Sequence, residues 1–158
     1  MKRAIFSFVL LLFLPSCNGY AEQPEYPLIF TGEVNMFFGG IEYVYDVDFD
    51  GNLMNIVIKD PEILKGMSFI VNGDGITAQS SSFALSYERE IIDDFCPIAY
   101  LYDVFLTANR LQPEFVQKDE VMTADFSAEE HNCEITIDAE SGNIIQAKFD
   151  EYSYNMKA

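Results

Sequence analysis

The sequence predicts an α+β domain, mainly β: one antiparallel sheet of about seven to nine strands, with a single helix packed on its concave, apolar side. Three observations predict it. From Leu28 onward, apolar and polar residues alternate in short runs, the period of a strand with one buried face. Asp-Gly and Asn-Gly pairs punctuate these runs, so neighbouring strands are joined by tight turns and pair antiparallel. One stretch, Cys96 to Leu111, places its apolar residues at helical spacing instead.

Leu28, Phe30, Val34 and Met36 share one face of the first strand, with Gly32 between them. Phe38-Gly39-Gly40 turns the chain. In the second strand Ile41, Tyr43, Tyr45, Val47 and Phe49 alternate with Glu42, Val44, Asp46 and Asp48. Asp50-Gly51-Asn52 reads as a hairpin turn. Leu53 to Lys59 is the third strand. Asp60-Pro61 ends it, and Glu62 to Gly66 makes a loop or one short turn. Met67 to Val71 is the fourth strand, and Asn72-Gly73-Asp74-Gly75 turns it into a weak, polar fifth, Ile76 to Ser80. Ser82 to Glu88 carries Phe83, Leu85 and Tyr87 on one face.

Ile98, Leu101, Tyr102, Phe105 and Ala108 line one face of the helix. Asp94 or Cys96 suits its N-cap, Pro97 its first turn, and Pro113 stops it. Strands return at Val121–Ser127 and, after Ala128–Asn132, at Cys133–Asp138. Glu140-Ser141-Gly142 turns the chain into a last strand, Asn143–Tyr152. Under the helix, Tyr43, Tyr45, Phe49, Phe69, Phe83, Leu85 and Tyr87 are expected to meet Leu101 and Phe105. These nine residues either fill a core or line an apolar pocket, and the pattern leaves both open.

The N-terminus is an address. Met1-Lys2-Arg3 is basic, and Ala4 to Leu14 is apolar apart from Ser7. A basic head, a short apolar core and a small residue at the cut describe a secretory signal, with a core too short for a spanning helix. Leu14-Pro15-Ser16-Cys17 resembles the lipobox of bacterial lipoproteins, although Pro15 stands where a small residue is usual. That resemblance implies cleavage before Cys17, acylation of its thiol and a lipid anchor in the cell envelope. Cleavage after Ala21 is the alternative, and it would remove Cys17. The expected organisation is a signal peptide over 1–16, a lipidated, disordered tether over 17–27, and a single domain over 28–158.

The chain carries 26 acidic and 9 basic residues, a net charge of −17. Such a surface repels phosphate backbones and anionic headgroups, so nucleic acid is set aside as a partner. Beyond Cys17, Cys96 and Cys133 remain. Outside the cytoplasm they form a candidate disulfide, and two separately buried thiols are the alternative.

Lys59-Asp60-Pro61, Ser68-Phe69-Ile70-Val71 and Gly73-Asp74-Gly75 resemble the turn, strand and Asp-Gly turn of the lipoprotein carriers typified by LolA. The chain departs from them by starting on a strand and by placing Asp60 between Lys59 and Pro61. The resemblance implies an incomplete barrel whose apolar cavity holds acyl chains.

No chemistry-bearing constellation emerges. Asp46, Asp48 and Asp50 before Gly51 resemble the first half of a calcium loop, but Val57 stands where the bidentate Glu belongs. His131 is the only histidine, so a metal site with two imidazoles is excluded. A Cys96–His131 dyad would sit in acidic surroundings that disfavour a thiolate. Asp93-Asp94, Asp119-Glu120 and Glu129-Glu130 are pairs that arise by chance in so acidic a chain. No enzyme activity, metal or cofactor is expected. The expected function is that of an exported, membrane-anchored lipoprotein that binds an apolar ligand or an envelope protein. A filled-core interaction module is the alternative.

Overall fold

The computed structural model describes residues 22–88, 96–128 and 130–158. The signal segment, Cys17, Asp93-Asp94 and Glu129 lie outside the described residues. The strands are β1 (Phe30–Phe38), β2 (Ile41–Phe49), β3 (Met54–Asp60), β4 (Ser68–Asn72), β5 (Gly75–Gln79) and β6 (Ala84–Glu88). After a 3-10 turn at Pro97–Ala99 comes the helix α1 (Tyr100–Leu111). Then follow β7 (Val116–Lys118), β8 (Val121–Ala128), β9 (His131–Asp138), β10 (Ile144–Phe149) and β11 (Tyr152–Lys157). All belong to one antiparallel sheet of order β6-β5-β4-β3-β2-β1-β11-β10-β9-β8-β7. The end strands β6 and β7 are not paired with each other, so the sheet is open rather than a closed barrel.

The sheet thus has eleven strands, not seven to nine. The segment Asn143–Tyr152 is not one strand. It splits into β10 and β11 at Asp150, which takes φ 49°. Aspartate tolerates that left-handed conformation, so no glycine or proline marks the turn. β7 is three residues long and exposed throughout, too short to show a period.

Elsewhere the local rules hold. Asp50 closes the β2–β3 hairpin by accepting the Asn52 and Leu53 N–H groups at 2.9 and 2.8 Å. Gly51, at φ 101°, takes a backbone conformation that a side chain would strain. Gly32 serves a different need: a Cβ there would collide with the Lys157 carbonyl oxygen on β11. The helix ends as expected, with Gln112 left-handed, its N–H on the Ala108 carbonyl at 2.7 Å, and Pro113 next.

Register gives the sheet two unlike faces. The outer face is polar and held by cross-strand charge pairs. Glu33 and Asp46 stand directly opposite each other, a repulsive arrangement. Lys59 resolves it, reaching Asp46 at 3.1 Å and Glu33 at 3.4 Å, while Lys157 meets Glu33 from β11 at 3.4 Å. Lys59, then Lys157, holds the Glu33 carboxyl below the usual range.

The inner face is apolar and carries α1, which packs on β8, β9 and β10. Phe49 of β2 meets Phe105 at 5.3 Å and the edge of Tyr102 at 6.0 Å, and Phe30 meets Phe105 at 6.2 Å. The buried hydroxyls are partnered: Tyr154 donates to the Pro97 carbonyl at 2.6 Å and Tyr102 to that of Asn52 at 3.0 Å.

Residues 22–29 are tied to the domain, although the sequence reading counts 22–27 as loose tether. Gln23 completes a two-way bridge with the Phe115 backbone, donating at 2.9 Å and accepting at 2.8 Å. Tyr26 donates to the Pro113 carbonyl at 2.9 Å. The Asn109 amide of α1 brackets Leu28, accepting its N–H at 2.5 Å and donating to its carbonyl at 3.0 Å. Asn109→Ala removes both of these bonds at once. It is expected to cost about 2 kcal/mol in urea denaturation and to open residues 22–29 to limited proteolysis. Unchanged stability and cleavage would show that the strap hangs on Gln23 and Tyr26 instead.

Candidate functional site

The inner face can be followed strand by strand from the covered centre to the β6 edge. One row runs Phe49, Met54, Val71, Ile76, Tyr87. A second runs Val47, Ile56, Phe69, Ala78, Leu85. A third runs Tyr45, Ile58, Met67, with the Ile58 N–H on the Met67 carbonyl at 2.9 Å, and resumes beyond the Ser68–Gln79 pair at Ser80 and Phe83, where the Ser80 N–H meets the Phe83 carbonyl at 2.9 Å. Side chains paired across antiparallel strands share a face, so all three rows face the helix side.

Burial changes along each row. Phe49, Val47 and Tyr45 are buried, whereas Tyr87, Leu85 and Phe83 are 43, 48 and 45 % exposed. Between them, Met67, Phe69 and Ala78 are half-buried. The structure therefore divides the nine expected pocket residues. Tyr45, Phe49, Leu101 and Phe105 lie in the closed core. Tyr43 and Phe69 are half-buried against it, with Tyr43 stacked on Tyr45 at 6.0 Å. Phe83, Leu85 and Tyr87 are not under α1 but on an open strip at the edge of the sheet. A twelve-residue helix is about 18 Å long and reaches only part of so broad a face. Met67 and Ala78 belong to the strip as well. Sequence pattern alone did not mark them, because membership follows from register across two turns.

The polar candidates are spent on structure. Asp46 pairs with Lys59, Asp48 accepts from the Thr31 hydroxyl at 2.7 Å, and Asp50 caps its own turn. Val57 lies on β3, paired with Asp46 and Ser68. Among the described residues, no three His, Cys, Asp or Glu side chains are grouped to hold a metal. His131 bonds Asp150 through Nδ1 at 2.7 Å and stacks on Phe149 at 4.6 Å. The same carboxylate accepts the Asn132 N–H at 2.9 Å, so His131 and Asn132 hold its pKa low and fix the β10–β11 turn.

Cys96 and Cys133, the candidate disulfide, are separate free thiols. Cys96 precedes the 3-10 turn, and burial pushes its pKa up to about 11. Cys133 is buried on β9, where desolvation also raises its thiol. Neither is primed as a nucleophile at neutral pH.

A separate cleft of about 760 Å³ opens at the other end of the sheet, between residues 22–31 and the β9–β10 turn. Glu22, Glu25 and Glu140 are on its walls beside Pro27, Leu28 and Ile144, so it is mixed in character rather than apolar.

No protein-family model and no curated protein matches the chain. Among solved structures, it is similar to an uncharacterised conserved protein from Thermus thermophilus. That match has 11 % identity over 83 % of this chain and 77 % of the other, with a TM-score of 0.43. It is similar also to a LolA-superfamily protein from Nitrosomonas europaea, at 13 % identity over 82 % and 67 % of the two chains, again with a TM-score of 0.43. Neither likeness carries a function to this chain.

The state of the cysteines is open to a direct check. In the native protein at pH 7.5, Cys96 and Cys133 should resist a thiol reagent without prior reduction, and both should react once the chain is unfolded. Failure of the pair to react in denaturant, reversed by dithiothreitol, would establish the bridge.

Proposed function

We propose that this chain is a non-enzymatic, exported lipoprotein, anchored through Cys17, whose domain holds an apolar ligand of acyl-chain type. The ligand lies on the open strip of Met67, Phe69, Ala78, Phe83, Leu85 and Tyr87. One observation carries the binding claim: two apolar rows continue without a break, and a third is interrupted at Ser80, from the buried core onto a strip that α1 leaves uncovered. Apolar surface left in water costs about 25 cal/mol per Å², so an apolar occupant is favoured there. Ala78, small and flanked in its row by Phe69 and Leu85, leaves a shallow place between two larger side chains. The export and anchor rest on the sequence pattern around Cys17.

Native mass spectrometry of the chain from Asn18 onward, followed by solvent extraction, should reveal a co-purifying or added fatty acid or phospholipid. Leu85→Asp should weaken that binding about tenfold or more, with little loss of stability because Leu85 is exposed. Tyr45→Asp and Phe105→Asp would report on the core instead, since both residues are buried. A clean apo mass with no uptake of added lipid would point to an interaction module with a filled core.

A further inference from the structure

The antiparallel order places the β1–β2, β3–β4 and β5–β6 connections at one end of the sheet. Each displays large apolar side chains. Phe37 and Ile41 flank the Gly39-Gly40 turn and are 71 and 48 % exposed. Ile63, in the β3–β4 connection, is 89 % exposed, and Phe83 follows in the next. The strand-to-strand turns at the opposite end show no such residue among those described, although Ile29, which leads into β1 there, is 65 % exposed. There Asp50, Asn72 and Asp138 cap their own turns. Chance scatter of exposed apolar groups would not favour three consecutive connections at one end.

The surroundings of this fringe are acidic. Glu42, opposite Phe37 in the register, and Asp60 and Glu62 beside Ile63 are all exposed. The cations near them are already engaged, Lys65 with Glu62 at 3.0 Å and Lys59 with Asp46 and Glu33. On the other half of the sheet the same end carries Glu130, Asp150 and Glu151. An anionic membrane surface is repelled by this rim, whereas apolar side chains flanked by Lys or Arg are complementary to it.

We infer that this end of the sheet is a protein-docking surface for a basic amphipathic segment of a partner. Phe37, Ile41 and Ile63 supply the apolar contact, and Glu42 and Asp60 select for positive charge. The surface is distinct from the ligand strip, which it meets at Met67 and Phe83.

The test uses the full processed chain and a defined probe, an 18-residue amphipathic helical peptide made of leucine and lysine. The peptide should bind, and binding should weaken about tenfold in the double variant Phe37→Ser/Ile63→Ser and again in 0.5 M salt. A scrambled peptide of the same composition, with its leucines dispersed, should bind about tenfold more weakly. Leu85→Asp should leave peptide binding unchanged even where it removes an apolar ligand. Equal affinity of the wild type and the double variant, with both melting at the same temperature, would reduce the contact to diffuse charge attraction and overturn the proposal. Uptake onto phosphatidylcholine vesicles that vanishes in the same double variant, with no peptide binding, would make the fringe a membrane contact instead.

Discussion

The structure depends on a mismatch of areas. Eleven hydrogen-bonded strands, each about 4.8 Å from the next, present an inner face far broader than one helix can cover. The helix is about 18 Å long, and its buried side chains are committed to β1, β2 and the β8–β10 part of the sheet. Phe105 and Tyr102 meet Phe49, Phe105 meets Phe30, and the helix body lies on β8 to β10. What the helix covers becomes a close-packed core. What it does not reach, near β6, keeps the same apolar pattern with no cover of its own from α1. The strip and its proposed ligand follow from that arithmetic rather than from any special residue.

Much of this was legible in the sequence. The first six strands, the helix and most of the turns could be read because each carries a local sign. Asp50-Gly51 marks a hairpin, Pro113 marks a helix end, and Tyr45, Val47 and Phe49 alternate with aspartates. What could not be read lacks such signs. The turn at Asp150 has neither glycine nor proline, and its geometry is held by His131 and Asn132 from a neighbouring strand. The docking of Gln23 on Phe115 joins residues far apart in the chain. The nine expected pocket residues share a face, as the alternation implies. Which of them are covered depends on where the helix lies across the sheet, and periodicity does not encode that. Leu85 and Phe49 have the same character in the sequence and opposite fates in the fold.

The chemistry of the site is one of restraint. The described carboxylates that resemble a metal loop are paired, bonded to a hydroxyl or used as a turn cap. The two described thiols are desolvated, which raises their pKa values, and the single histidine holds a turn. The ionic work is done on the outer face, where Lys59 and Lys157 offset crowded acids in a chain of net charge −17. The inner face near the β6 edge is left with apolar contact as its principal means of recognition. Such contact is tolerant of ligand detail and suits a class of molecules better than a single species.

The central claim is that an apolar chain lies along the strip from Met67 to Tyr87, and photo-crosslinking tests it most directly. A fatty acid bearing a diazirine near its methyl end would be bound, irradiated and mapped by peptide mass spectrometry. The account predicts adducts concentrated on residues 67–88, lost in Leu85→Asp and absent from residues 22–31 around the opposite cleft. Adducts spread over the whole surface, or concentrated in that cleft, would contradict it.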